Sequence, residues 1–385
     1  MGKIAVAVKF GDGHADRNAW SSRPTLWGDA IHSFRCVTSK AHELEVALIA
    51  AGDLIDVRRP EPWVVNMLRM ELDVLASDDI PFYYIQGQHE LDRKNPWMSS
   101  IHSHAEHIHK RSIELGEIPH SHAYNRVVNS VNIYGLDWTP ADNLERELKE
   151  IPKSTDVFIC HQVWHEFMGD IAYEGTLRDI CAPWVFTGDF HENKELLVEN
   201  VFGNSTRVIS PGSTNIRRIN ESPKKYAYIL YDDLSWERFS IPTRYLLRYE
   251  IYKEADLDKA EADIPVQLET TVVEHNLSLG LPEQLQAPII DVKYSDKVDN
   301  VWSRLNKVCG KDSHLFLRVV AASDDDDLSV EQQQFQEILD EGPEACLQLL
   351  LDSDADIYKL GLRFIQSQNF EEEILAARGE RGLCD

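Results

Sequence analysis

The sequence predicts a mixed α/β protein in which two β-sheets pack face to face and helices cover their outer surfaces. Short apolar runs alternate with amphipathic segments in the first part of the chain, which is the pattern of strands joined by helices. Several strand-like runs then follow one another without a helical segment between them, which favours a sandwich of mixed sheets. We expect this sandwich to be followed by a smaller α/β domain and a helical carboxy-terminal segment.

The opening elements are predicted from their apolar spacing. Residues 3–10 and 46–51 are predicted strands, and the second is apolar throughout, as expected of a strand buried on both faces. Residues 25–41 and 63–76 carry apolar side chains at helical intervals. Further strands are predicted at residues 81–85, 131–134, 156–160, 184–187, 207–209 and 226–231.

The pattern loosens after the last of these strands. Two strand-like runs at residues 288–294 and 314–320 flank a helical segment at residues 298–308, and Pro265 interrupts the charged stretch before them. We predict a main domain at residues 1–245, a small α/β domain at residues 246–325 and an acidic helical segment at residues 326–385.

Charge is distributed unevenly along the chain. The net charge is −26, and residues 321–385 hold 17 acidic against 4 basic side chains, which is half of the imbalance. Such acidity argues against a generally basic nucleic-acid-binding surface, although not against local, metal-assisted contact with phosphates.

Cysteine usage and hydropathy indicate a cytoplasmic protein. The six cysteines form no C-x-x-C pair, so neither a disulfide framework nor a thiolate zinc site is predicted. The apolar part of residues 1–10 is too short for a signal peptide, and no apolar run approaches the ~20 residues of a membrane span.

Polar side chains of the types that bind metal ions in proteins follow five of the predicted strands. They are Asp12, His14, Asp53, Gln88, His89, His161, Asp189 and His191. Any one acid at such a position is explained as a helix cap. Because ligand sites lie beyond the carboxyl ends of strands, however, we expect the whole set to meet at one edge. Carboxylates and imidazoles suit divalent ions such as Mn²⁺, Fe²⁺ or Zn²⁺, and a shared carboxylate bridges two ions roughly 3.5–4 Å apart.

The order of these residues resembles the signature of calcineurin-like metallophosphoesterases, D-x-H, G-D-x-x-D, G-N-H-[ED], H and G-H-x-H. The corresponding segments here are Asp12-Gly13-His14, Gly52-Asp53-Leu54-Ile55-Asp56, Gly87-Gln88-His89-Glu90, His161 and Gly188-Asp189-Phe190-His191. Within that superfamily the chain is most similar to SbcD-type double-strand-break-repair nucleases, through residues 51–60, 159–162, 210–215 and 241–244. The resemblance implies an αββα sandwich, a capping domain after it and a carboxy-terminal segment that binds a partner ATPase.

The resemblance also implies two metal ions and their ligands. Metal one is expected on Asp12, His14, Asp53 and His191. Metal two is expected on Asp53 as the bridge, with Gln88, His161 and Asp189. His89 is then the catalytic residue that faces the scissile phosphate, and Mn²⁺ is the expected ion, with Mg²⁺ as the alternative.

Two residues depart from the family pattern, and both belong to metal two. Gln88 replaces Asn, which moves the carbonyl oxygen outward by one methylene, and Asp189 replaces His, which adds a negative charge and a harder ligand. These changes favour weaker binding at this site, or a preference for Mn²⁺ or Mg²⁺ over Zn²⁺.

The expected function is therefore a two-metal DNA nuclease, an exonuclease or an endonuclease, in DNA repair, recombination or processing. The alternatives are a phosphoesterase of small nucleotide-type phosphodiesters and a binding subunit with a degenerate metal site. From the resemblance we expect a homodimer through residues 63–76 and the segment after His89, and an SbcC-type, SMC-like ATPase partner. A bacterial nucleoid and a virus in its host's cytoplasm are both compatible with the sequence.

Two weaker signals remain. His102, His104, His107 and His109 form a short tract, which we interpret as ordinary histidines because on a helix they would not share a face. Four basic pairs near the motifs are interpreted equally well as phosphate contacts or as solvated surface charges: Arg58-Arg59, Arg93-Lys94, Arg217-Arg218 and Lys224-Lys225.

Overall fold

Two six-stranded sheets and one three-stranded sheet form the framework of the described chain. The structure is a computed structural model, and it describes residues 3–15, 26, 28–58, 60–92, 94, 96–116, 129–168, 175–310 and 313–320. The predicted acidic segment at residues 326–385 lies outside the described residues, as do Arg59 and Arg93. The three sheets confirm the predicted mixed α/β architecture.

The first sheet combines parallel strands with two antiparallel strands from later in the chain. Its strands are β1 (Ala5–Phe10), β2 (Ala47–Ala51), β3 (Phe82–Ile85), β4 (Ala105–His107), β11 (Lys225–Tyr231) and β12 (Trp236–Ile241). They lie in the order β12-β11-β1-β2-β3-β4, and β1 to β4 run parallel. The helices that connect these parallel strands are α1 (Asp29–Leu44), α2 (Pro62–Ser77) and α3 (Trp97–Ile101).

The second sheet also has six strands and combines four parallel strands with antiparallel ones. Its strands are β5 (Arg111–Leu115), β6 (Val131–Leu136), β7 (Val157–His161), β8 (Trp184–Gly188), β9 (Lys194–Glu199) and β10 (Ser205–Ser210). Their order is β5-β6-β7-β8-β10-β9, and β6, β7, β8 and β10 run parallel. The short helices of this half are α4 (Ala141–Leu148), α5 (His165–Met168) and a 3₁₀ turn (Leu177–Asp179).

Strand β2 shows why the sheets form a sandwich. Leu48 and Ala50 pack with the helices on the outer face of the first sheet. Ala47, Ile49 and Ala51 face the opposite way and join the core shared with the second sheet. Because alternate side chains of a strand point to opposite faces, an uninterrupted apolar run is buried only when both faces are covered. The predicted burial of this strand on both faces is confirmed.

The third sheet forms a core of its own. It contains β13 (Leu246–Ile251), β14 (Ile289–Ser295) and β15 (His314–Val320), and its helices are α6 (Glu254–Glu269), α7 (Thr271–Leu279) and α8 (Val301–Val308), with a 3₁₀ turn at Glu283–Leu285. Side chains from these elements bury one another in a separate cluster. The two strands and the helix predicted in this region are confirmed.

One expectation about the helices was wrong. Pro265 does not interrupt the chain, because α6 runs through it to Glu269. None of the helices in the described part of the chain is long and apolar enough to cross a membrane.

Lys9 lies in the core of the sandwich and is a source of instability. Its side chain is fully buried, and its Nζ makes no hydrogen bond with any described residue. The nearest partners are aromatic, with Nζ 4.8 Å from the ring centre of Trp236 and 5.6 Å from that of Phe186. Burial holds the pKa of Lys9 well below its usual value.

We expect Lys9→Met to raise the free energy of unfolding by about 1–3 kcal/mol at neutral pH, because it removes an unsatisfied buried polar group. The unfolded chain binds the lysine proton more tightly, so the stability of the wild type should rise as the pH approaches about 10.4, and that of the variant should not share this rise. Urea unfolding at two pH values measures both effects, with the exposed Lys3→Met as the control. A lower stability of Lys9→Met would show that the aromatic rings stabilise a charged Lys9.

Candidate metal centre

The carboxyl ends of the parallel strands from both sheets bring the predicted site residues together. Asp12 follows β1 and Asp53 follows β2, while His161 ends β7 and Asp189 follows β8. A loop after β3 carries Gln88 into the same region, where its side-chain amide donates to Asp189 Oδ1 over 2.7 Å. Five segments that are distant in sequence therefore meet at one edge of the sandwich.

Two overlapping groups have ligand atoms close enough to share metal ions. The first group is Asp12, His14 and His191, and the second is Asp12, Asp53 and His161. In the second group, His161 Nε2 lies 3.2 Å from Asp53 Oδ2 and 3.7 Å from Asp12 Oδ1. Asp53 Oδ2 also lies 4.0 Å from His14 Nε2. Both Asp12 and Asp53 therefore reach both groups.

The unusual pair of Gln88 and Asp189 lies beside the second group. Asp189 Oδ1 lies 3.9 Å from His161 Nε2, and the backbone N–H of Asp189 donates to Asp12 Oδ1 over 3.0 Å. The amide nitrogen of Gln88 donates a hydrogen bond to Asp189, while Oε1 of Gln88 is buried without a hydrogen-bond partner among the described residues. A carbonyl oxygen held in this way is suited to be a metal ligand.

Each of the three imidazoles has an acceptor oxygen near its Nδ1. His14 Nδ1 lies 2.6 Å from Asp56 Oδ1, His161 Nδ1 lies 2.7 Å from the carbonyl oxygen of Ala51, and His191 Nδ1 lies 3.5 Å from Glu221 Oε1. This is the arrangement of metal-binding histidines, in which an acceptor on one ring nitrogen orients the other toward the ion.

Buried ligand atoms without partners also fit a divalent ion. Asp53 Oδ2, His161 Nε2 and Gln88 Oε1 are buried and make no hydrogen bond within the described residues. An unpaired buried carboxylate oxygen costs free energy unless an ion or a donor compensates it. The donor set of carboxylate, imidazole and carboxamide is compatible with Mn²⁺ or Mg²⁺.

Three of the eight non-glycine residues with positive φ in the described chain lie in this site. His14, Asp53 and Asp189 all have positive φ angles, of 43°, 47° and 74°. Non-glycine residues in this region cost free energy and cluster at functional sites. Asp tolerates the conformation better than most residues.

Two glycines make room for His161. A Cβ atom on Gly52 would lie 2.5 Å from His161 Nδ1, and one on Gly188 would lie 2.4 Å from the same atom. Any side chain at either position would therefore displace the imidazole. This is the physical reason why a glycine precedes Asp53 and another precedes Asp189.

Strong pKa shifts mark the pair of Asp53 and His161. Burial acts to raise the pKa of Asp53, but the charge of His161, with His14 and His89, outweighs it and holds that pKa well below the usual range. Burial acts to lower the pKa of His161, but the Asp53 carboxylate outweighs it and raises that pKa well above its usual value. Burial, with the Arg217 charge, lowers the pKa of His14 to about 4.

His89 lies at the rim of this cluster. Its backbone N–H donates to Asp53 Oδ1 over 3.3 Å, and its Nε2 lies 3.7 Å from Asp53 Oδ2. The side chain is 40% exposed, whereas those of His14 and His161 are fully buried. An exposed imidazole beside buried ligands is placed to meet a substrate.

Three residues near the ligands were missed or given no role by the sequence reasoning. In the sequence, Asp56 is part of the G-D-x-x-D motif and Arg217 is part of a basic pair. Glu221 belongs to no motif that the sequence analysis identifies. Glu221 accepts hydrogen bonds from Lys225 Nζ over 2.6 Å and from Ser213 Oγ over 3.0 Å. Burial acts to raise the pKa of Glu221, but the Lys225 ammonium outweighs it and holds that pKa well below the usual range.

The histidine tract spans the end of a helix and a short strand. His102 ends α3, His107 lies in β4, and the imidazole of His107 lies 2.8 Å from the buried carboxylate of Asp137. That carboxylate also accepts the backbone N–H of Gln86, two residues before Gln88. The tract thus supports the loop that carries Gln88 and His89.

Comparison with curated proteins gives three relatives of one kind. All three are named "DNA double-strand break repair protein Mre11". The relative from Methanosarcina mazei is 27% identical over 262 residues, which are 64% of this chain and 39% of that protein. The relative from Methanosarcina acetivorans is 26% identical over 57% of this chain and 36% of that protein, and the relative from Haloferax volcanii is 29% identical over 48% and 41%.

These matches are limited in extent. The chain spans about two-fifths of the length of the curated relatives that it matches. No family model matches it. One solved structure aligns with 61% of this chain at 11% identity and a TM-score of 0.37, which is too low to establish a shared fold.

Three observations point to the same kind of protein. The five ordered motifs converge at one edge of the sandwich, their imidazoles are held as metal ligands are, and the three curated relatives carry one name. The chain is thus similar to proteins named DNA double-strand break repair protein Mre11, at 26–29% identity over 48–64% of its length, and its motifs resemble those of calcineurin-like metallophosphoesterases.

Proposed function

We propose that this chain is a two-metal-dependent nuclease that hydrolyses phosphodiester bonds in DNA. The observation that carries the proposal is the meeting of three imidazoles, each with an acceptor oxygen near its Nδ1, with the carboxylates of Asp12 and Asp53. The Mre11 relatives support DNA as the substrate class. Work in DNA repair, recombination or processing follows from the same relatives.

The residues divide between two ions. Metal one would be held by Asp12, His14, Asp53 and His191, and metal two by Asp53, Gln88, His161 and Asp189. Divalent ions bound here would supply positive charge that neutralises the phosphodiester and lowers the pKa of the attacking water. Gln88 and Asp189 together offer two oxygen ligands, which favours Mn²⁺, with Mg²⁺ as the alternative.

The chain's own residues supply the rest of the chemistry. His89 would protonate the leaving oxygen, because it is the exposed imidazole beside the ligand cluster. Asp56, Glu221 and the carbonyl of Ala51 hold the three ligand imidazoles in position, so that little reorganisation is needed when substrate binds.

We also propose a cytoplasmic homodimer that binds DNA together with an SbcC-type ATPase. Helix α2 supports the dimer, since Trp63, Met70 and Val74 are exposed on it at 38%, 56% and 45%. The start of β13 at Leu246 agrees with the proposed boundary between a nuclease domain at residues 1–245 and a capping domain at residues 246–325. Residues 326–385 are proposed to bind the partner.

Hydrolysis of single- and double-stranded DNA with and without Mn²⁺ tests the function. We expect cleavage that depends on Mn²⁺, stops when a chelator removes the ion and returns when Mn²⁺ is added back. Products with new ends only at the termini would assign an exonuclease, and internal nicks would assign an endonuclease. Turnover of small phosphodiesters by a protein inert on DNA would favour the small-substrate alternative, and no turnover of either would favour a binding subunit.

A further inference from the structure

The guanidinium of Arg217 lies between the two imidazoles of the first ligand group. Its Nη1 is 2.5 Å from His14 Nε2 and 2.7 Å from His191 Nε2. Its Nη2 donates to both carboxylate oxygens of Asp56, over 3.1 Å and 3.3 Å. The side chain is buried, so this is an internal contact of the site.

This position excludes a metal ion at the same place. The Nε2 atom of a neutral imidazole has one lone pair, which accepts one hydrogen bond or binds one ion. A guanidinium carries a permanent positive charge and has no acceptor, so it cannot itself be a ligand and it repels a divalent cation. The Arg217 guanidinium and an ion on His14 and His191 are therefore mutually exclusive.

The second ligand group differs in this respect. Gln88 Oε1, Asp53 Oδ2 and His161 Nε2 make no hydrogen bond with any described residue, and the nearest of these contacts is between two of the proposed ligands themselves, with His161 Nε2 3.2 Å from Asp53 Oδ2. These three atoms are buried and are oriented by partners on their other side, through Asp189 for Gln88 and through Ala51 for His161. An ion in this group therefore separates two of its own ligands, whereas an ion in the first group must displace the Arg217 guanidinium.

We propose that Arg217 competes with the metal ion for His14 and His191, so that the two sites load in order. The group of Asp53, Gln88, His161 and Asp189 takes the first ion. The group of Asp12, His14 and His191 takes an ion only when Nη1 of Arg217 moves away. When Nη1 moves, the ion pair between Nη2 and the Asp56 carboxylate stays in place, so the charge of the buried guanidinium remains paired. The proposal rests on the proposed metal sites, but not on the nuclease activity.

Titration of the full chain with Mn²⁺ alone, followed by calorimetry and by the signal of free Mn²⁺ in electron paramagnetic resonance, tests the order. We expect the wild type to bind one ion tightly and a second more weakly. A guanidinium that holds the position about nine-tenths of the time weakens the apparent affinity for the second ion about tenfold. Arg217→Gln should therefore tighten the second ion about tenfold and leave the first unchanged.

Arg218→Gln is the matched control, because it removes the same charge from the adjacent residue. The same increase in affinity for the second ion in Arg218→Gln would mean that any lost positive charge has this effect, and it would overturn the proposal. Two equally tight ions in the wild type would also overturn it. So would an unchanged affinity for the second ion in Arg217→Gln. If Arg217→Gln does not fold, as judged by its thermal unfolding, the wild-type isotherm decides alone. If the two ions bind with unequal affinity but the protein does not cleave DNA, only the proposed function is overturned. If the protein cleaves DNA and the two ions bind equally tightly, only this inference is overturned.

Discussion

Asp53→Asn is expected to lower the rate of Mn²⁺-dependent DNA hydrolysis about a thousandfold or more without unfolding the protein. Asp53 is, with Asp12, one of the two carboxylates that reach both ligand groups, and it does so through His161 on one side and His14 on the other. Loss of its charge weakens both ions, whose stabilisation of developing charge is worth several kcal/mol, and each 1.36 kcal/mol is a factor of about ten in rate. Asn tolerates the left-handed backbone of this position, where φ is 47°.

Asp79→Asn is the matched control for this change. Asp79 has a similar φ angle of 55°, but it is exposed and lies before β3, away from the ligands. Single-turnover rates at saturating Mn²⁺, with circular dichroism to verify folding, compare the two variants. A loss smaller than about tenfold in Asp53→Asn would mean that this carboxylate does not bridge the ions.

Glu221→Ala is expected to lower the free energy of unfolding by about 3–5 kcal/mol, which is the usual effect of removing one partner of a buried ion pair. Glu221 and Lys225 are both buried, with side-chain exposures of 6% and 3%. The substitution leaves the Lys225 ammonium and the Ser213 hydroxyl without their carboxylate acceptor. Urea unfolding measures the loss directly.

The pH dependence of this loss has a definite sign. Because Lys225 holds the pKa of Glu221 below its unfolded value, the stabilisation is complete above that value, about 4.3. It disappears as the pH falls through the lower pKa of the folded state. The difference between wild type and Glu221→Ala should therefore shrink in acid, and a difference that grows there would contradict the ion pair.

A double variant separates the two roles of Glu221. Glu221→Leu with Lys225→Met replaces the ion pair by apolar side chains, and most of the lost stability should return. The affinity for Mn²⁺ should remain about 10- to 100-fold lower, because the acceptor for His191 Nδ1 is still missing. Full recovery of both quantities would show that Glu221 has no part in orienting His191.

The strands that sequence reasoning missed share one physical property. β4, β5, β9, β12 and β13 all lie at the edge of a sheet. Edge strands are covered on fewer sides and carry charged residues that discourage pairing with other chains. Their sequences, such as Lys-Glu-Leu-Leu-Val-Glu in β9, therefore lack the continuous apolar run that made β2 recognisable.

The amino-acid sequence alone predicts the central strands, helices α1 and α2 of the first sheet and the eight residues that meet at the candidate site. Local information suffices for these, because burial on both faces requires an apolar run and the end of a parallel strand places the next polar side chain at a common edge. Other contacts follow only from the tertiary structure. They are the hydrogen bond between Gln88 and Asp189, the oxygens of Asp56 and Glu221 beside two imidazoles, and the insertion of Arg217 between His14 and His191. These contacts join residues that are 26 to 203 positions apart, and the distances between such atoms follow from how the two sheets pack.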